Sequence, residues 1–326
     1  MRALRCMAIT PDASAIRVEE ISKPEPGPGE LRVRVEAASV NFPDILMCKG
    51  EYQFKPETPF TPGMDLAGFV DALGPGVDAF RVGDRVAGGA KTGAFAEYAI
   101  VSVEGLSAAP ETFSFPQAAA YPAAYLTAYV ALVRRGNLQA GETLLVHGAA
   151  GGVGMAAVDV GKLLGANVIA TSASDEKLAQ VAVYGADHVI NVEHGFKDKV
   201  KALTGGRGAD VIFDPVGGDV FDESVRCIGF DGRLLVIGFT SGRIAEVKTN
   251  MPLIKGFSIV GVRAGEYGRR FPERGRENMA QIWAWAEAGE TRPHICAEFP
   301  LDQAREAFAM LTERRAIGKV IIRPNG

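Results

Sequence analysis

The segment Leu144-Leu145-Val146-His147-Gly148-Ala149-Ala150-Gly151-Gly152-Val153-Gly154 joins an apolar run to a glycine cluster and then to a helix-like sequence. These residue types at this spacing suit a dinucleotide clamp. The small side chain of Ala149 permits a tight reversal, Gly151 lets the backbone approach a pyrophosphate, and Gly154 lets the following helix pack on the strand. Amides at the helix N-terminus, from Ala150 through Gly152 and Val153, then face the phosphate charge. Glycines also occur in such turns for steric reasons alone, so the context decides. Met155, Ala156, Ala157, Val158, Val160, Leu163 and Leu164 continue at helical spacing, Gly165 stops the helix, and residues 167–170 read as a second strand. That strand–helix–strand unit is the setting in which the glycines bind a nucleotide.

The end of the second strand discriminates between nucleotides. An acidic residue there accepts hydrogen bonds from the adenosine ribose of NAD. This chain has Ser172 instead, followed by Ser174 and Lys177. Hydroxyls and a cation suit a 2′-phosphate, which favours NADP(H) over NAD(H). The same residues also read as a serine N-cap followed by an exposed lysine on a helix over 175–184, and from these residues alone both readings stand.

The elements around this turn fall into two styles. From residue 2 to 101 short alternating segments, 16–21, 31–37, 66–72, 85–87 and 96–101, are divided by turns such as Pro24-Glu25-Pro26-Gly27-Pro28-Gly29 and Gly74-Pro75-Gly76, which reads as mostly β structure. An alanine-rich apolar window over 118–133, broken by Pro122, suits a buried helix near a domain junction better than a membrane span. After it the rhythm is strand, helix, strand, with strands expected at 143–147, 167–171, 188–191, 211–213, 234–237 and 257–262. Such alternation predicts a parallel sheet with helices on both faces. Helical patterns at 277–288 and 301–315 precede an apolar strand at 319–322. The charged, glycine-rich stretch 265–276 reads as a solvated loop. The C-terminal tail is too short for a domain of its own, so it is expected to return to the first one. The nucleotide domain, 122–262, is then an insertion in a discontinuous partner, 1–121 and 263–326, with the binding cleft expected between them.

Bulk properties narrow the function. The chain has 326 residues, 47% hydrophobic and 23% charged, an ordinary globular balance with length for two domains. A net charge of −4 with scattered Lys and Arg offers no basic field for nucleic acid, so no DNA partner is expected. Cys6, Cys48, Cys227 and Cys296 lie far apart without Cys-x-x-Cys spacing, which fits reduced thiols in a cytoplasmic protein. Residues 1–11, interrupted by Arg2 and Arg5, lack the apolar core of an export signal.

Several stretches in order along the chain resemble the zinc-independent NADPH:quinone oxidoreductase, or zeta-crystallin-like, branch of the medium-chain dehydrogenase/reductase superfamily. They include Asn41-Phe42-Pro43-Asp44, Gly50-Glu51-Tyr52-Gln53, Pro59-Phe60-Thr61-Pro62-Gly63-Met64-Asp65-Leu66-Ala67-Gly68 and Val82-Gly83-Asp84-Arg85-Val86 before the glycine turn. After it come Leu203-Thr204-Gly205-Gly206-Arg207-Gly208, Phe213-Asp214-Pro215-Val216-Gly217-Gly218, Gly232-Arg233-Leu234-Leu235-Val236-Ile237-Gly238-Phe239 and Gly318-Lys319-Val320. The resemblance implies an α/β fold, a Rossmann doubly wound parallel sheet inserted in a mostly β, GroES-like discontinuous catalytic domain. Zinc-bearing relatives have a cysteine and a Gly-His-Glu sequence where this chain has Asn41 and Gly63-Met64-Asp65. A thioether and an amide do not replace thiolate and imidazole around Zn²⁺, so no metal is expected.

What the resemblance implies for chemistry is hydride transfer from NADPH to a quinone, with alignment as the main task of the protein. Asn41 would contact the nicotinamide or its ribose, Tyr52 the cofactor or acceptor, and Thr127 would line the same cleft. Val216, Phe239 and Val262 would bracket the nicotinamide end. Arg315 matches a position where relatives place a phosphate-binding arginine, joining Ser172 and Lys177. Val192 stands where many relatives have a tyrosine beside the adenosine phosphate, which puts one contact in doubt. Quieter readings exist for three of these residues: Asn41 as a helix cap, Tyr52 as a plug at the core edge, Phe239 as a buried side chain. Reduction of α,β-unsaturated ketones, aldehydes or thioesters uses the same hydride geometry, and an NADPH-binding protein without turnover is the non-enzymatic alternative. A homodimer is also implied, paired through the strand at 257–262.

Overall fold

Apolar residues at every second position of the N-terminal region fold as strands with one face inward. In the computed structural model, which describes all 326 residues, these are β1 (Arg2–Cys6), β2 (Ile16–Glu20), β3 (Glu30–Val40), β4 (Asp65–Leu73), β5 (Arg85–Gly89), β6 (Tyr98–Ser102) and β7 (Leu106–Ala108). A single short helix, α1 (Phe42–Lys49), follows β3. It ends at Gly50, whose left-handed φ of 72° closes the last turn and leads the chain to Tyr52. Next, α2 (Phe115–Tyr129) carries Pro122 internally and runs into a π-helical segment, Val130–Arg135.

Strand and helix then alternate: β8 (Thr143–Val146), α3 (Gly152–Leu163), β9 (Asn167–Ser172), α4 (Asp175–Val183), β10 (His188–Asn191), α5 (Lys197–Leu203), β11 (Ala209–Asp214), α6 (Gly218–Ser224), β12 (Ile228–Val236), α7 (Asn250–Lys255) and β13 (Ser258–Gly261). All six strands pair in parallel in the order β10-β9-β8-β11-β12-β13. Strand order reverses beside β8, the first strand of the set, which is the doubly wound arrangement with its switch point at the end of that strand. The helices α8 (Ala264–Arg270) and α9 (Pro272–Glu287) complete this region.

The chain finishes with β14 (Ile295–Pro300), α10 (Ala304–Thr312) and β15 (Lys319–Arg323). Here β15 pairs with β3, so that N- and C-terminal segments share a seven-stranded sheet, β14-β15-β3-β4-β5-β7, with β6 paired to β3. The chain accordingly divides into two compact units, Met1–Pro122 with His294–Gly326, and Ala123–Pro293. No helix is long and apolar enough to cross a membrane.

Two expectations change. The return to the first unit comes at His294, not at residue 263, because α8 and α9 pack with the second unit: Trp285 of α9 stacks on Tyr129 at 5.4 Å, and Arg134 bonds Asn278 and Glu277. The stretch 265–276 is also helical instead of a solvated loop. Glu266 pairs with Arg269 and Arg270 along α8, Pro272 starts α9, and the glycines let the two helices touch: a Cβ on Gly275 would lie 2.9 Å from Gly268 Cα.

Candidate functional site

The second unit gathers its candidate residues at the carboxyl ends of the parallel strands. After β8 the left-handed residue of the turn is Gly148, with φ 55°, while Ala149 is fully buried and donates its amide to Thr171 O. Ala150 is buried as well, and Gly151 is the exposed N-cap of α3. The first helical hydrogen bond there runs from Met155 N to Gly151 O, so Gly152, Val153 and Gly154 supply the first-turn amides. Gly154 is required sterically: a Cβ would stand 2.3 Å from Gly148 O and 2.8 Å from Ala149 Cα. A Cβ on Gly151 would meet only Gly148 O, at 3.4 Å. One glycine thus holds the helix against the turn, and the other keeps the outer surface open. These features suit a pyrophosphate seated on the N-terminus of α3.

Around this turn the structure assembles the apolar residues. Val216 leans toward Gly148, its Cγ2 3.3 Å from where a Cβ would be, and Phe239 leans toward Gly217 at 3.0 Å in the same sense. Buried Asp214 fixes that loop by accepting from Val216 N and Gly217 N; burial pushes its pKa up and these two amides pull it back. Phe239 is 43% exposed, so it is not a core residue. Val262 is buried and donates its amide to Val236 O.

Ser172 ends β9, and its carbonyl accepts from Val192 N, so the serine and the residue in the tyrosine's place are neighbours across β9 and β10. Ser174 is the N-cap of α4: its hydroxyl accepts from Lys177 N at 3.4 Å. The N-cap reading of Ser174 therefore holds, and Ser172 and Lys177 are both half-buried. Thr127, in α2, donates its hydroxyl to Ala123 O at 2.7 Å, a bond along its own helix.

Sequence reasoning passed over His147, beside the turn. It is fully buried, with Nδ1 2.9 Å from Thr171 Oγ1, Nε2 2.8 Å from Ser224 Oγ, and its ring on Phe196. Burial lowers its pKa to about 3, so the ring is neutral and ties β8, β9 and α6 together.

The first unit holds the other candidates. Asn41 occupies the N-cap of α1, where it forms a capping box with Asp44, whose carboxylate accepts from Asn41 N at 2.8 Å. The carboxamide is also held at both ends. Its Nδ2 donates to Asp65 Oδ2 at 2.9 Å and to Ser39 O at 3.3 Å, and its Oδ1 accepts from Lys319 Nζ at 2.6 Å. Asp44, Asp65 and Lys319 are all buried. Burial raises Asp44 to about 8, and raises Asp65 against the pull of Lys319 and Asn41. It also lowers Lys319 against the pull of both carboxylates. Tyr52 is half-buried and packs on the core of this unit. Arg315 lies here too, with Nε on Glu313 at 2.7 Å, and is 53% exposed. The lysine was visible in sequence only as a cation opening the apolar strand Val320-Ile321-Ile322; its partners sit on segments far apart in the chain.

Residues 27–111 match the family model described as an alcohol dehydrogenase GroES-like domain, and residues 152–285 the one described as a zinc-binding dehydrogenase. The mouse protein named quinone oxidoreductase-like protein 2 is 38% identical over 323 residues, 98% of this chain and 92% of that protein. The chain belongs to the quinone oxidoreductase branch of the medium-chain dehydrogenase/reductase superfamily. It is an oxidoreductase by that membership. Among solved structures, an Escherichia coli quinone oxidoreductase complexed with NADPH superposes with a TM-score of 0.91 at 27% identity, covering 99% of this chain and all of the other. The CurK enoyl reductase superposes at 0.90 with 25% identity and 99% coverage of both chains. Zinc, which the second family description implies, does not fit these residues. At the relevant positions Asn41 Oδ1 is already bonded to an ammonium, Met64 offers a thioether, and a second buried cation would be repelled.

Proposed function

We propose that this oxidoreductase transfers hydride from NADPH to a quinone without zinc. The observation that carries the reading is the α3 N-terminus, where Gly148 and Gly154 hold the turn and Gly151 leaves it open to a diphosphate. A bound nicotinamide would supply the hydride, and a proton from water would complete the reduced quinone. Val216, Phe239 and Val262 would pack the nicotinamide end, and Asn41, Tyr52 and Thr127 would align cofactor and acceptor; Tyr52 is the candidate proton donor only for an enoyl acceptor, a reduced quinone taking its proton from water. The named relatives and the NADPH-bound neighbour support the assignment. Purified protein should oxidise NADPH in the presence of quinones, and failure with every quinone tested overturns it. The enoyl reductase likeness favours a second reading, reduction of conjugated enones or enoyl thioesters, and the ratio of kcat/KM between the two acceptor classes separates them.

Ser172, Lys177 and Arg315 are our proposed 2′-phosphate ligands. Lys177→Ala and Arg315→Ala should each weaken NADPH by about tenfold, on the order of 1.4 kcal/mol, while leaving NADH nearly unchanged. Equal losses for both cofactors in titrations would show that the phosphate sits elsewhere. Chelator or added zinc should leave turnover unaltered; activation by zinc would contradict the metal-free chemistry.

We also place the protein in the cytoplasm as a homodimer. Its sheet ends at β13, an edge strand with Ile259 37% exposed; Phe230 of the paired strand β12 and Leu253 and Ile254 of α7 expose 84%, 82% and 70% of their surface. An open edge flanked by apolar side chains calls for a cover, which a second copy supplies by isologous pairing. Sedimentation should find a dimer, converted to monomer by Val260→Pro.

A further inference from the structure

The carboxamide of Asn41 can present its oxygen and nitrogen in only one order. Turning it over would place an N–H₂ against the Lys319 ammonium and an oxygen against the Asp65 carboxylate, replacing two charge-assisted hydrogen bonds with two repulsions. The frame that enforces this order comes from four elements of the first unit. Asp65 opens β4 opposite Ser39 of β3, α1 begins directly after β3, and Lys319 opens β15, whose next residue, Val320, pairs with Val40 of β3. Gly318 makes that placement possible: its φ is 77°, and a Cβ there would lie 2.4 Å from His294 O. A buried lysine without a task would be costly, whereas this one ends on a specific oxygen at 2.6 Å.

We propose that Lys319 is a positioning residue for the reaction: the ammonium takes the place of a metal cation in gathering Asn41 and Asp65, and locks the Asn41 carboxamide in the orientation that meets the nicotinamide or its ribose. The inference rests on the reading of Asn41 given under Proposed function. It makes Lys319 act through Asn41 and not on the substrate itself.

The test is a double-mutant cycle of Lys319→Met and Asn41→Ala, read as kcat with a saturating quinone. Each single variant should lose about tenfold or more, and the double variant should lose no more than about threefold beyond the worse single. Multiplicative losses, or a folded Lys319→Met with parental kcat, overturn the proposal. Removing the ammonium leaves a buried carboxylate unpaired, so Lys319→Met/Asp65→Asn, which keeps the balance of charge, serves if the single variant does not fold. A second readout needs no turnover. The Asn41 side-chain amide signal in ¹H–¹⁵N spectra should be shifted and slow to exchange in the parent, and should move and exchange about tenfold faster in either lysine variant. An unmoved signal overturns the proposal. A parent protein inactive toward every acceptor would overturn the function proposed above while this spectral result still stood.

Discussion

Gly154→Ala should destabilise the second unit by about 1–3 kcal/mol or more and abolish NADPH binding, while Gly151→Ala should fold within about 0.5 kcal/mol of the parent yet bind NADPH at least tenfold more weakly. The contrast follows from which atoms each methyl group meets. At 154 the nearest neighbours are Gly148 O, Ala149 Cα and Gly148 C, at 2.3, 2.8 and 2.9 Å, all backbone, so the turn itself must move. At 151 the φ is −78° and the only neighbour is at 3.4 Å, so alanine is accommodated by the fold and obstructs only what would approach from outside. Urea unfolding together with cofactor titration of both variants checks the pair. Parallel behaviour, with both stable and binding or both unfolded, would contradict the division of labour between the two glycines.

The second large effect concerns pH. His147 has a folded pKa of about 3 against an ordinary 6.5, so below pH 6.5 the unfolded chain takes up a proton that the folded chain refuses. The stability from its burial is therefore complete above pH 6.5 and is lost as the pH falls toward 3, at about 1.4 kcal/mol per pH unit and roughly 4–5 kcal/mol in all. His147→Gln removes that titration. The variant should be less stable than the parent at pH 7, because contacts to Thr171 and Ser224 are lost or weakened, and the two should converge on acidification. Unfolding free energies measured from pH 7 to 4 would show this, and parallel curves would mean that the histidine titrates normally.

The dinucleotide unit was legible in sequence because its signals are local. Apolar runs at 143–147 and 167–171 became β8 and β9, and Gly154, named for helix packing, proves to be the glycine with no room for a side chain. Within the turn Gly148 carries the left-handed conformation, and the small Ala149 is fully buried beside it. Helix α8 was missed because Gly265, Gly268 and Gly275 among many charges imitate a loop, and only the tertiary contact between Gly268 and Gly275 explains them. The arrangement around Asn41 lay further out of reach. Periodicity cannot bring residue 319 to residue 41, since that contact depends on the pairing of β15 with β3. For the same reason the N-cap reading placed Asn41 at the start of α1 without its bonds to Asp65 and Lys319.

The most direct test of the account is a steady-state assay of the purified protein with NADPH and NADH, each against a panel of quinones and conjugated enones. The account predicts acceptor-dependent oxidation of NADPH, preference for NADPH over NADH, and higher kcat/KM for quinones. Tight NADPH binding without oxidation by any acceptor, or no binding at all, would contradict it.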